Sequence, residues 1–243
     1  MKENIVIGAA INYNHKDLNN FVTSLRKYFL GKILFFVSNN IDKNTINFFD
    51  KYKVSYFKLG EASNTIFKTR YKIYLKYLKK NKFSRIMISD TRDVIFQKNP
   101  FTNKKFSSLC FFSEDKSIGE CTFNSSWVKN LYGKKKFNKI KHKKILCSGT
   151  TIGKYKNIIN YLNKINKEIE ITNNTKIAKE LKKNKSLKTF IGQISRFILG
   201  KRIYSYLNHK IFKGYTFVGT DQGNHNYLIY SKKIKNFKIY SNK

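Results

Sequence analysis

The chain has 243 residues, 41% apolar and 16% aromatic, which is material for the buried core of a single α/β domain. A formal net charge of +36 attracts polyanions or anionic headgroups, while no apolar run approaches the roughly eighteen residues that a membrane span requires. Cys110, Cys121 and Cys147 are odd in number and lack metal-ligand spacing, which argues against a disulfide framework or a zinc site and for a reducing, cytoplasmic compartment.

The first hundred residues alternate strand and helix signals, the pattern of a mostly parallel sheet flanked by helices. An apolar run at 5–11 predicts the first strand; as a signal peptide it is too short, since Asn12, Asn14, His15 and Lys16 follow at once. Leu18, Phe21, Val22, Leu25 and Phe29 have helical spacing over 17–29, and Gly31 closes that helix. A strand at 33–37, a helix at 41–52 with Ile46 and Phe49 inward, and a strand at 54–57 follow. The next helix, 64–80, carries Phe67, Tyr71, Tyr74 and Leu78 on one stripe, with Arg70 on the same stripe. An arginine on a buried face needs an anion. Asp90 or Asp93 would serve as a structural ion pair, and a ligand's diphosphate or sugar would serve equally; the two readings are compatible.

The apolar strand at 86–88 stops at Asp90 and Asp93, which places two carboxylates at the carboxyl edge of an open sheet, where such sheets bind ligands. Carboxylates about 4 Å apart repel by roughly 4 kcal/mol at an effective dielectric near 20. A divalent cation, Mn²⁺ or Mg²⁺, holding a diphosphate answers that repulsion; helix-capping or loop carboxylates are the plainer alternative. Beyond Pro100 a strand is predicted at 107–113, then a looser stretch over 122–128. A strand at 145–147 runs into Ser148 and Gly149, a helix follows at 154–166, and a final helix at 224–231 precedes a strand at 237–240. Between them, 182–215 reads as a basic amphipathic helix, suited to an anionic membrane surface or to a solvated outer face.

Three fragments resemble nucleotide-sugar glycosyltransferases of the GT-A fold. Asp90-Thr91-Arg92-Asp93-Val94-Ile95-Phe96-Gln97, followed by Asn99-Pro100-Phe101, is similar to the Asp-x-Arg-Asp variant of their metal motif. Cys147-Ser148-Gly149-Thr150-Thr151-Ile152-Gly153 resembles their Ser-Gly acceptor-side loop, and Gly219-Thr220-Asp221-Gln222, with Asn226 beyond, resembles the Asp-Gln motif of glycosyltransferase family 8. The resemblance implies one GT-A, Rossmann-like α/β domain over 1–243, with a donor half at 1–103 and an acceptor half at 104–243. It implies a metal-dependent transfer of a sugar from a nucleoside-diphosphate sugar to a glycan, glycolipid or protein acceptor. Asp90 and Asp93 would hold the metal, with Arg70 and Arg92 on the diphosphate or sugar. The loop with Ala10, Asn12 and Tyr13 occupies the donor-base position. On the acceptor side Trp127, in an Asn-x-x-Trp pattern with Asn124, would stack a sugar face or fill core, beside Ser148, Gly149 and Asn226. Asp221 would be the general base of an inverting reaction, or would bind the acceptor with Gln222 beneath the anomeric carbon in a retaining one. Asp221 as a helix N-cap is the structural alternative. Family 8 enzymes have a late His motif that adds a metal ligand; no such motif follows Asn226, so the third ligand is unidentified.

The charge has two explanations. Lys, Asn, Ile, Phe and Tyr are abundant while Ala, Pro and Arg are scarce, the bias of AT-rich codons, and the lysines are spread along the chain. That spread fits peripheral contact with an anionic membrane better than specific nucleic-acid recognition, for which no zinc finger, RNP-like run or arginine stripe is present. A basic nucleic-acid-binding protein and a metal-dependent nucleotidyltransferase are the rival classes.

Overall fold

The parallel part of the sheet follows from strands that are apolar on both faces. The computed structural model describes residues 3–60, 66–102, 108–174 and 220–241. Strands β1 (Ile5–Ala10), β2 (Lys32–Ser38), β3 (Val54–Leu59) and β4 (Arg85–Ser89) pair in parallel in the order β3-β2-β1-β4. Their side chains alternate between two cores: Ile5, Ile7, Leu34, Phe36, Ile86 and Ile88 face one way, and Val6, Ile33, Phe35, Val37 and Met87 the other. Period-two alternation with both faces buried demands helices on both sides.

Helix α1 (His15–Tyr28) and helix α2 (Lys43–Lys51) cover the second face with Leu18, Phe21, Val22, Leu25 and Phe49. Each such side chain contributes roughly 1.5–3 kcal/mol by leaving water. A capping box starts α1: the Asn14 side chain accepts from the Lys16 and Asp17 amides, and the Asp17 carboxylate accepts from the Asn14 amide. Phe29, in extended backbone, ends α1 ahead of the predicted Gly31. Helices α3 (Ile66–Lys80) and α5 (Tyr155–Asn173) cover the first face through Tyr71, Tyr74, Leu78, Ile158, Tyr161, Leu162 and Ile165.

Beyond β4 the sheet continues as β6 (Lys144–Lys154), β5 (Leu109–Ser117) and β7 (Phe237–Tyr240). Only β6 is reversed, antiparallel to both β4 and β5, while β7 lies parallel to β5. The described residues thus form an α/β fold with a seven-stranded, mostly parallel sheet flanked by helices, Rossmann-like in architecture. Three expectations are corrected. The stretch at 122–128 is not loose but opens α4 (Thr122–Ile140), which kinks at Gly133 (φ 81°). Ser148 and Gly149 do not form a loop, because they lie in mid-strand with Thr150 already paired to Ser89. The last helix, α6 (Thr220–Tyr230), begins before the expected residue 224. The basic helix read at 182–215 and the loop glycine Gly219 lie outside the described residues.

Candidate active site

Strand order reverses between β1 and β4, and a crevice outside the carboxyl ends of the strands opens at such a switch. Asp90 follows β4 there. Its amide donates to the Gly149 carbonyl at 2.7 Å, and its carboxylate lies against Gly149 so closely that a β-carbon on that residue would sit 2.1 Å from Asp90 Oδ2. Gly149 is therefore the gap that admits the Asp90 side chain, a use that a turn glycine would not have. The Thr91 hydroxyl donates to the Ala9 carbonyl at 2.8 Å and ties the turn after β4 to the end of β1.

Arg70 organises the cleft. From α3 its Nη1 donates to Asp90 Oδ1 at 2.6 Å and its Nη2 to Asp221 Oδ2 at 2.6 Å. Longer contacts run from Nη2 to the Ser148 hydroxyl and carbonyl, at 3.4 and 3.5 Å. The Arg70 side chain is 13% exposed, that of Asp221 4% and that of Asp90 51%. Burial opposes the Arg70 charge, yet Tyr71 and the carboxylates of Asp221 and Asp90 outweigh it and hold the guanidinium well above its ordinary pKa. Burial raises the Asp221 carboxyl, and Arg70 opposes that rise. Asp221 does not serve as an N-cap: Thr220 before it is already helical, and its carboxylate is committed to Arg70. Asp93, the other partner considered for Arg70, pairs instead with Arg92, Nε to Oδ1 at 3.1 Å.

A polar chain continues from Arg70 towards β5. Gln222 Oε1 accepts from the Ser148 amide and hydroxyl, both at 3.3 Å, and Gln222 Nε2 donates to Glu114 Oε1 at 3.2 Å and Asn124 Oδ1 at 3.4 Å. Burial pushes the Glu114 carboxyl up. Glu114 escaped the sequence analysis; the one available signal was a carboxylate ending the apolar run Leu109 to Phe112. Asn226, expected on the acceptor side, is fully buried. Its amide exchanges hydrogen bonds with both the N–H and the C=O of Leu146, at 2.8 and 3.0 Å, so it latches α6 to β6 and does not line the cleft. Beside it His225 Nδ1 meets the Tyr161 hydroxyl at 2.8 Å, and burial, with the Arg70 charge, pushes the imidazole down to about 3.

The cleft, about 370 Å³, is lined by Arg70, Asp90 and Asp221 together with Tyr13, Arg92 and Trp127; Asp93, Ser148 and Gln222 also line it. The Arg92 guanidinium stands 5.5 Å over the Tyr13 ring. Trp127, on α4, has its ring 6.0 Å from that of Phe123, which is 53% exposed. Tyr13 also borders a second pocket of about 290 Å³ between the ends of β1 and β2, lined by Ala10, Asn12, Ser38 and Asp42 among others. Asn12 adopts φ 58°, tolerable for asparagine, and is fixed there: its amide donates to Ser38 Oγ at 2.7 Å, and the Ser38 hydroxyl donates to Asn12 Oδ1 at 3.0 Å.

Among the described residues no group of three His, Cys, Asp or Glu side chains could hold a metal ion. Nucleotide sites that hold Mg²⁺ or Mn²⁺ use as few as one or two carboxylates, with water and phosphate oxygens completing the shell. Asp90 and Asp93 are both oxygen donors that line the cleft, with side chains 51% and 77% exposed and each paired with an arginine. No helix among the described residues is long and apolar enough to cross a membrane. Compared with protein-family models and with curated proteins, the chain matches none.

Proposed function

We propose that the chain is a glycosyltransferase of the GT-A kind that moves a sugar from a nucleoside-diphosphate sugar to a hydroxyl of a glycan or glycolipid. The observation that carries this reading is the convergence of Asp90, Asp221 and Ser148 on Arg70, with Gln222 bonded to Ser148, in one cleft at the sheet's switch point, although Arg70 and Asp221 are 151 residues apart. The pocket with Ala10 and Asn12 suits a planar base, and Tyr13, which borders both hollows, lies where a ligand would pass from one to the other.

Asp90 and Asp93 would hold Mn²⁺ or Mg²⁺, which when bound offsets the charge that develops on a departing diphosphate. Arg92, half exposed beside Tyr13, presents its remaining guanidinium N–H groups to phosphate oxygens. Arg70 neutralises Asp90 through Nη1 and keeps Asp221 as its buried anchor through Nη2, so a cation taking Asp90, or an anion taking Nη1, displaces one arm of the guanidinium only. Gln222, its amide oriented by Ser148 on one side and by Glu114 and Asn124 on the other, positions the reacting sugar. Trp127 offers a ring face to the acceptor. Because Asp221 is engaged with Arg70, its support is stronger for a positioning role than for removal of the acceptor proton.

Calorimetric titration with nucleoside diphosphates in the presence and absence of Mn²⁺ tests the reading. Metal-dependent binding that both Asp90→Asn and Asp93→Asn abolish is expected. Nucleotide affinity that ignores Mn²⁺ and both substitutions refutes the metal-assisted site.

A further inference from the structure

The far half of α4 and the turn behind it concentrate charge that the cleft does not use. Seven of the eleven residues from Lys134 to Lys144 are lysine, and all seven are exposed. From Cys121 to Lys167 the sequence has twelve lysines and neither Asp nor Glu. Phe137 and Ile140 point inward, into a small core with Ile118, Val128 and Ile145, which turns the intervening residues outward. The turn is held in place: the Ile118 amide donates to the Lys143 carbonyl at 2.9 Å and the Gly119 amide to the Lys141 carbonyl at 2.7 Å. Among the described residues none of the seven lysines forms an ion pair. Glu120 lies within electrostatic reach of Lys144 but forms no ion pair with it, its carboxylate accepting from the Ser117 amide at 2.6 Å, and it is the main-chain carbonyl of Asp115 that takes the Lys144 ammonium.

We infer that this lysine ridge docks on a bilayer containing anionic phospholipid. Clusters of four to eight lysines are attracted to such surfaces as point charges. Sequence-specific nucleic-acid readout relies on the fork of arginine, and there is no arginine from Cys121 to Lys167. Base stacking needs a free aromatic face, and the tyrosines beside the ridge, Tyr132 and Tyr227, are stacked on each other at 3.7 Å. The ridge starts at Lys134, seven residues beyond Trp127 and just past the kink at Gly133 in α4. Docking therefore brings to the membrane the same element, α4, that carries the cleft residue Trp127. If the proposed transferase reading holds, the acceptor is lipid-anchored; the docking itself does not depend on that reading.

Co-sedimentation of the full chain with phosphatidylcholine vesicles, with and without phosphatidylglycerol, at physiological ionic strength tests the inference. Binding only to the phosphatidylglycerol vesicles is expected. Replacing Lys134, Lys135, Lys139 and Lys143 by Gln should weaken it about five-fold per lysine, several-hundred-fold together. A matched control replaces four exposed lysines of α3, Lys72, Lys76, Lys79 and Lys80, by Gln and removes the same charge elsewhere; it should retain most of the binding. Equal losses in the two variants would mean diffuse attraction and overturn the ridge, as would absence of binding to either vesicle. Duplex DNA that binds at lower concentration than the vesicles, with the same dependence on the ridge, would reassign the surface to nucleic acid. Circular dichroism of both variants verifies folding, and nucleotide calorimetry on the ridge variant shows whether the cleft is intact independently of docking.

Discussion

Replacing Arg70 by Met removes the guanidinium that, alone among the described residues, reaches both Asp90 and Asp221, while keeping an unbranched apolar stem in α3. Asp221 is then a carboxylate with a 4% exposed side chain and no cation. Removing one partner of a buried ion pair costs about 3–5 kcal/mol, because the survivor remains desolvated. For a domain of this size that lowers Tm by roughly 6–20 °C. Asp221→Asn, by contrast, leaves Arg70 bonded to Asp90 and should cost about 1–2 kcal/mol. In the double variant the unpaired charge no longer exists, so its loss should fall short of the sum by roughly 0.5–3 kcal/mol. The sign with pH follows from Asp221. Its folded pKa lies above the ordinary value, so the native state binds the proton more readily, and acidification through that window relieves the penalty. Urea unfolding of the four proteins at neutral and mildly acidic pH measures all of this. A cost under about 1 kcal/mol for Arg70→Met, or strict additivity in the cycle, would refute the claim that this pair is a buried, coupled unit.

Gly149→Ala places a β-carbon 2.1 Å from Asp90 Oδ2, so Asp90 must shift; overpacking costs about 1–3 kcal/mol, and Mn²⁺-dependent nucleotide binding should be lost in calorimetry even where the fold survives. Asp221→Asn should lower turnover with a surrogate acceptor by roughly 10²-fold while leaving nucleotide affinity nearly unchanged; wild-type rates would reduce Asp221 to a structural anchor. His225, held down to about 3, keeps the native state unprotonated where the unfolded chain takes up a proton, so stability is lost as pH falls from about 6.5 towards 3, by about 1.4 kcal/mol per pH unit at most. His225→Phe should flatten that slope in urea titrations; an unchanged slope would assign it to other groups.

Much of the fold was legible because its signals are local. Alternating apolar residues in β1, β2 and β4 and the stripe Leu18, Phe21, Val22 and Leu25 state their own periods, so the strand-helix order and the carboxylates ending β4 could be read from neighbours in sequence. Strand β6 could not be read that way. Its middle, Ser148 to Thr151, has no bulky apolar residue, and it is strand because β4 and β5 supply hydrogen bonds on both sides. The start of α4 was missed for a related reason: Asn124, Ser125 and Ser126 are weak helix formers, and packing of Val128, Phe137 and Ile140 with Ile118 and Ile145 overrides that preference. Arg70 on a buried stripe announced that an anion was needed. Only the tertiary structure decided that the anions are Asp90 and a residue 151 positions away, since that choice belongs to the packing of α3 against α6. Likewise Asn226, which reads as a polar group near the reaction centre, is spent on the Leu146 peptide because α6 is buried there and each main-chain group of β6 must find a partner.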